Sequence, residues 1–228
     1  MILSLNQWKK IRPTQEKQQV KERNNMPLLV RPPYLFRQLY PGATWRMSKT
    51  EKKIFLTFDD GPVPGVTPEA LSVLRTYGVK ATFFCVGHNV EKHPKIYQQI
   101  LDEGHATANH TFHHLDGWNT STKNYLDDVA QCSRIVSSGL FRPPYGRMRP
   151  PQRKALHRKY KIVLWDVLTY DFDKTITGEH CLQLALNYSR EGSIVVFHDS
   201  EKAKERMLYA LPEYIKAMKE RGFEFGML

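Results

Sequence analysis

The chain has 228 residues, of which 41% are hydrophobic and 11% aromatic, so it can bury a core as one domain and is neither disordered nor fibrous. Its formal net charge of +11 sits at one end: residues 1–53 hold twelve Lys or Arg against three Glu, and the remainder is nearly balanced. That distribution argues against a nucleic-acid groove running through the fold.

Residues 1–25, MILSLNQWKKIRPTQEKQQVKERNN, contain no apolar run long enough for a signal-peptide core or a membrane span. They read as a basic, flexible leader, or as untranslated sequence if Met26 is the start. Residues 26–52 set apolar and aromatic side chains among arginines and prolines. Such a stretch can lie on a membrane surface, but the favoured expectation is an arm packed against the domain.

From Lys53 to the end, short β-branched or aromatic runs alternate with helical stretches, the pattern of βα units on a mainly parallel sheet. KIFLTF is the first strand. VTPEALSVLRTYG follows as a helix with Thr67 as N-cap, Pro68 at its first position and Gly78 just past its end. ATFFCVG is a strand, and HPKIYQQILDEG repeats the Pro-start, Gly-stop pattern. A helix in TKNYLDDVAQCSRIVSS, a strand in KIVLWDV, a helix in GEHCLQLALNYSREG, the strand SIVVFHD and a helix in RMLYALPEYIKAMKERG complete the chain. Residues 53–228 thus read as one α/β barrel. Cys85, Cys132 and Cys181 form no CxxC pair, so buried, reduced thiols are expected rather than a disulfide framework or a zinc knuckle.

Polar residues interrupt this pattern at strand ends. Asp59 and Asp60 end the first strand, His110 follows HATAN, Asp171 follows KIVLWDV, and His198 closes SIVVF. In a parallel barrel those ends share one face, where barrel enzymes keep their chemistry. The run HATANHTFHHLDG places four histidines within ten residues. His110 and His114 are four apart, and on a helical turn that spacing puts both rings on one side. Two adjacent carboxylates must be paired or metal-bound to stay ionised together. Two His and one carboxylate with an open position make a catalytic zinc site.

TFDDGP, NHTFHH, RPPYG, DF and VFHD occur in the order of the five motifs of the polysaccharide deacetylases, the NodB-homology family of carbohydrate esterases, which the chain resembles from about Lys53 onward. The resemblance implies a distorted (β/α)7 barrel, a divalent metal, zinc or cobalt, and hydrolytic removal of N- or O-acetyl groups from sugars. It implies that Asp60, His110 and His114 hold the metal and that Asp59 is the general base, paired with Arg142. It further implies that the backbone N–H of Tyr145 in RPPYG, beside Pro144, faces the oxyanion. His198 is the implied proton donor to the leaving group, oriented by Asp171.

Two positions depart from the family pattern. The fourth motif ends in Phe172 rather than Trp, which keeps an aromatic wall but loses the indole N–H, and Val196 replaces a Leu on the implied acetyl pocket. The expected substrate is a glycan containing N-acetylglucosamine, peptidoglycan or chitin-like. An O-acetyl esterase on acetylated xylan and a catalytically weak sugar-binding module are the alternatives. With no export signal visible the default location is the cytoplasm, which conflicts with a cell-wall substrate.

Overall fold

The computed structural model describes residues 29–228, and its organising element is a curled sheet of parallel strands. Along one path the order is β5 (Lys161–Ile162), β4 (Leu140–Phe141), β3 (Ala106–Asn109), β2 (Thr82–Cys85), β1 (Lys53–Asp59), β7 (Ile194–His198) and β6 (Val167–Leu168). A short β8 (Glu224–Gly226) adds to β1. Helices α2 (Thr67–Thr76), α4 (Pro94–Asp102), α5 (Thr122–Cys132), α7 (Gly178–Tyr188) and α8 (Lys204–Glu220) cross between strands. The short helices α1 (Tyr34–Gln38), α3 (Gly87–Lys92) and α6 (Pro150–Leu156) were not expected from the sequence. The architecture is the expected distorted (β/α)7 barrel.

Strand alternation decides what faces where. In β1, Ile54, Leu56 and Phe58 join the large core that includes Leu71 and Leu74 of α2 and Leu211 and Ile215 of α8. Phe55 belongs to a separate cluster with Phe84, Ala108, Val163 and Ile194. Thr57 and Asp59 share its parity. In β7 the same alternation sends Val195 and Phe197 to the helix-covered core, leaving Val196 and His198 with the parity of Ile194. Asp59 pairs with His198 in register, so the two strands bring a carboxylate and an imidazole side by side. A one-residue slip would turn both into the helical layer.

KIVLWDV does not form one strand. It divides into β5 and β6, which pair with β4 and β7 at opposite ends of the sheet path, and residues 163–166 bridge the opening. The cause is Asp166, wholly buried near the end of the run. It accepts hydrogen bonds from Ser193 Oγ at 2.9 Å and Arg190 Nε at 3.0 Å, and pairs with Arg31 and Arg37 at 3.2 Å each. Arg31 and Arg37 belong to the described part of the N-terminal segment, which lies along the opening. Thr44 bridges Val163, Arg46 bridges Ser193, and Val30, Tyr40 and Trp45 are buried. The membrane-surface reading gains no support from residues 29–52, and no helix among the described residues is long and apolar enough to cross a membrane. The expectations for residues 1–28 lie outside the described residues.

Three further differences are local. Thr67 is the first residue of α2 rather than its N-cap, a shift of one position within the normal spread of helix boundaries. Its hydroxyl accepts from the Val63 N–H at 2.8 Å. The helix in TKNYLDDVAQCSRIVSS stops at Cys132, and ATFFCVG is a strand only to Cys85. The three cysteines are free and buried, and burial raises all three thiol pKa values, so they are poor nucleophiles.

Asp166 ties the arm to the sheet opening through partly exposed arginines. Asp166→Asn is therefore expected to lower the unfolding free energy by about 2 kcal/mol, read as a lower denaturation midpoint at unchanged slope. An unmoved midpoint would show that packing alone holds the arm.

Candidate active site

At the end of β1 the chain turns at Asp60, whose φ of 84° is a left-handed conformation that costs a residue with a Cβ. Asp199, one residue past β7, holds the turn. Its Oδ1 accepts the Gly61 N–H at 3.0 Å, its Oδ2 accepts the Thr67 hydroxyl at 2.6 Å, and its own N–H donates to the Asp59 carbonyl at 3.0 Å. A Cβ on Gly61 would lie 1.8 Å from Asp199 Oδ2, so only glycine fits. Held this way, Asp60 presents Oδ1 to His114 Nε2 at 3.0 Å and to His110 Nε2 at 3.8 Å.

The two histidines reach Asp60 without a helix. Residues 110–114 form a loop after β3 in which Thr111 (φ 63°) and His114 (φ 56°) are left-handed, and the loop folds back until the rings lie 5.1 Å apart. Asp128 of α5 fixes it by accepting the Phe112 N–H at 2.7 Å and the His113 N–H at 3.0 Å. His113 Nδ1 lies 2.6 Å from the other oxygen of Asp128, which ties this ring to α5. His105 accepts the Ala81 N–H behind the sheet.

Asp60, His110 and His114 each offer one ligand atom, and the three atoms lie within 4.8 Å of one another. The donor set fits a zinc-like ion. His110 Nδ1 donates to the Arg142 carbonyl at 2.8 Å, which leaves the Nε2 lone pair aimed at Asp60. Burial, aided by His114, pushes the His110 pKa down to about 4, so the ring is neutral and able to ligate. Burial alone would raise the Asp60 pKa, but the His114 hydrogen bond and the nearby His198 charge hold the carboxyl well below the usual carboxylate range.

Asp59 faces a different partner. Arg142, wholly buried, donates to Asp59 Oδ1 at 2.6 Å and to Thr57 Oγ1 at 2.9 Å. Its Nε and second terminal nitrogen donate to the carbonyls of Val163 and Leu164, and its guanidinium lies 4.0 Å over the Phe84 ring. Beside Asp59, His198 Nδ1 lies 2.7 Å from Asp171 Oδ1, and its backbone N–H donates to Asp171 Oδ2 at 2.6 Å. Burial would lower the His198 pKa, but Asp171, with Asp60 and Asp59 behind it, raises it to about 9. The imidazolium is the neutral-pH form.

These groups surround a cavity of ≈ 260 Å³. Asp59, Asp60, His110, His114, Tyr145, Phe172, Val196 and His198 line it, while Arg142 and Asp171 stand buried behind it. Pro144 does not line it, because it is tucked inside the Pro144–Gly146 turn; Pro143 takes that place. Tyr145 is left-handed at φ 59°. Trp165, Leu168, Arg147 and Lys202 complete the wall and were not foreseen. Trp165 and Leu168 reach it only because the predicted strand breaks between β5 and β6.

The family model for polysaccharide deacetylase matches residues 46–162, a span that holds the Asp-Asp, His-x-x-x-His and Arg-Pro-Pro-Tyr-Gly segments. Asp171 and His198 lie beyond it. A peptidoglycan-N-acetylglucosamine deacetylase of Bacillus cereus is 33% identical over 190 residues, covering 80% of this chain and 89% of that protein. A chitooligosaccharide deacetylase of Azorhizobium caulinodans is 29% identical over 201 residues, covering 80% and 95%. Among solved structures, the Bc1960 peptidoglycan N-acetylglucosamine deacetylase in complex with 4-naphthalen-1-yl-N-oxidanyl-benzamide superimposes with a TM-score of 0.77. It is 30% identical and covers 86% of this chain and 94% of that one. With a family model spanning half the chain, and a relative matched along most of its own length, the chain belongs to the polysaccharide deacetylase family.

Proposed function

We propose that this protein is a metal-dependent hydrolase that removes N-acetyl groups from a glycan containing N-acetylglucosamine, peptidoglycan or chitin-like, and releases acetate. Residues 53–228 are taken as the catalytic unit and residues 29–52 as its supporting arm. One observation carries the reading: a three-ligand cluster shares a single cavity with a carboxylate paired to a buried arginine and with an imidazolium paired to a buried carboxylate. Similarity to a peptidoglycan-N-acetylglucosamine deacetylase and a chitooligosaccharide deacetylase supports acetylated amino sugars as substrates.

Asp60, His110 and His114 would hold the ion. Bound there, a divalent metal supplies Lewis acidity for the acetyl carbonyl and a lower pKa for water. Asp59 takes the proton of the attacking water as it adds to that carbonyl, and Arg142 keeps the carboxylate aimed into the cavity. The Tyr145 N–H donates to the oxygen that gains charge. His198 then gives its proton to the departing nitrogen, and Asp171 fixes the ring so that Nε2 carries it. Val196, Leu168 and Phe172 form the apolar wall against which an acetyl methyl packs. A sugar-binding module has no use for this base and acid.

The neighbouring aspartates separate the roles. Asp59→Asn is expected to bind zinc with nearly unchanged affinity yet to lose about 10²- to 10⁴-fold in turnover. Asp60→Asn is expected to weaken zinc binding first, with activity partly recovered at excess metal. Zinc titration with acetate release from N-acetylglucosamine oligomers, peptidoglycan and acetylated xylan reads both. An Asp59→Asn protein that loses its metal while Asp60→Asn keeps it would reverse the assignment, and preferential turnover of xylan would favour the ester reading.

The acid has its own signature. Because His198 donates only as the imidazolium, and Asp171 raises its pKa, the rate should fall on the alkaline side as the ring loses its proton. Asp171→Asn removes the charge that raises His198, so this alkaline limb should move to lower pH. A limb that stays in place would assign it to another group.

A further inference from the structure

A second hollow adjoins the cavity. It lies on the far side of His114 and Tyr145 and adds His88, Asn89 and His113, and Asp60, His114, Tyr145 and Lys202 line both. Lys202 stands at their junction with its side chain 46% exposed. Its Nζ lies 3.3 Å from Asp60 Oδ2 and 5.8 Å from the centre of the Phe172 ring. The ring that departs from the family's Trp is therefore the surface along which this ammonium rests.

Charge pairing singles Lys202 out. Asp59 is paired with Arg142, Asp171 with His198, and Asp116 with Arg147. Asp59 and Asp60 are the carboxylates that line the cavity, and the two oxygens of Asp60 are divided: Oδ1 faces the imidazoles and Oδ2 faces Lys202. An ion held by Asp60, His110 and His114 claims most of that carboxylate's charge. Lys202 is then an ammonium beside a dication, and Asp60 is its one ion-pair partner among the described residues. Like charges at that separation repel, and a lysine's long stem lets its head move to a new anion at the cavity mouth. A neutral sugar offers none.

We propose that Lys202 recognises an acidic substituent of the glycan, a carboxylate on the sugar next to the acetylated one, and so selects acidic over neutral strands. This rests on the deacetylase reading above. The flexible ammonium, unlike a guanidinium fork, tolerates a carboxylate in several positions, and the Phe172 face adds a weak attraction that keeps the head on the cavity wall.

The test uses zinc-loaded protein and two oligosaccharides of equal length. One is built of N-acetylglucosamine alone, and in the other the neighbouring sugar carries a lactyl carboxylate. Calorimetric titration is expected to show the acidic oligomer bound about three- to tenfold more tightly by the wild type. Lys202→Gln is expected to bring that ratio to about one and Lys202→Arg to keep most of it, while Lys202→Gln binds zinc at least as tightly as the wild type because a charge that repels the ion is gone. Added salt should shrink the wild-type ratio. Equal affinity of the wild type for the two oligomers overturns the proposal. So does a Lys202→Gln protein that loses zinc with its preference intact, since the lysine would then merely hold Asp60. Acetate release is followed on the same samples: its absence, with the binding preference present, would sink the deacetylase reading and leave the Lys202 assignment standing.

Discussion

A fully buried arginine sets the geometry on which everything else in the cavity depends. Arg142 leaves β4 toward the barrel interior, where it is wholly shielded from water and lies over Phe84. A guanidinium in that position is tolerable only if it is paired with a charge and hydrogen-bonded at each nitrogen. Asp59, Thr57 and the carbonyls of Val163 and Leu164 accept from all three of its nitrogens, and the carbonyl of Arg142 itself receives His110 Nδ1. One residue thus orients the proposed base, fixes the tautomer of a proposed metal ligand, and anchors the bend where the sheet opens between β5 and β6. Removing one member of such a pair leaves a buried charge, at a cost of about 3–5 kcal/mol. The site and the fold are therefore coupled.

Backbone strain gathers around the same point. The non-glycine residues with positive φ among those described are Asp60, Thr111, His114, Tyr145 and Tyr170. Two are proposed ligands, one is the proposed oxyanion donor, and Tyr170 precedes Asp171. Each such residue costs on the order of 1 kcal/mol and persists only where its surroundings over-determine it. Asp199 supplies that restraint for Asp60 through Gly61 and Thr67, and Asp128 supplies it for the histidine loop through two backbone N–H groups. The ligands are held in place by carboxylates that never face the cavity.

Much of the architecture was legible because β1 and β7 are buried on both faces and read as continuous apolar runs, and because Pro and Gly mark the helix ends. The proposed machinery was legible because its residues fall at strand ends in a recognisable order. What escaped depends on partners far away in sequence. Nothing local in KIVLWDV reveals that Asp166 meets Arg31, Arg37 and Arg190 and splits the run. His110 and His114 do share a side, but through a left-handed loop whose clamp, Asp128, comes from α5. Pro143 and Pro144 are indistinguishable until the turn is built. Lys202 follows His198 by four residues and carries no pattern at all.

The described part of the N-terminal segment belongs to the same logic. An open parallel sheet leaves edge strands whose backbone groups need partners. Thr44 accepts from the Leu164 N–H and donates to the Ile162 carbonyl, and Met47 donates to Gly192, so residues 44–47 close what β5 and β6 leave apart. The opening is also where Trp165 and Leu168 enter the cavity wall, so the arm supports one side of the proposed site. The central claim, that Asp60, His110 and His114 form the single metal centre at which acetyl groups are hydrolysed, is tested most directly by titrating metal-free protein with zinc while acetate release from an N-acetylglucosamine oligomer is recorded. The account predicts negligible release at the start, a linear rise and a plateau at one ion per chain. Release that begins without metal, or a protein that binds its ion and stays silent, would contradict it.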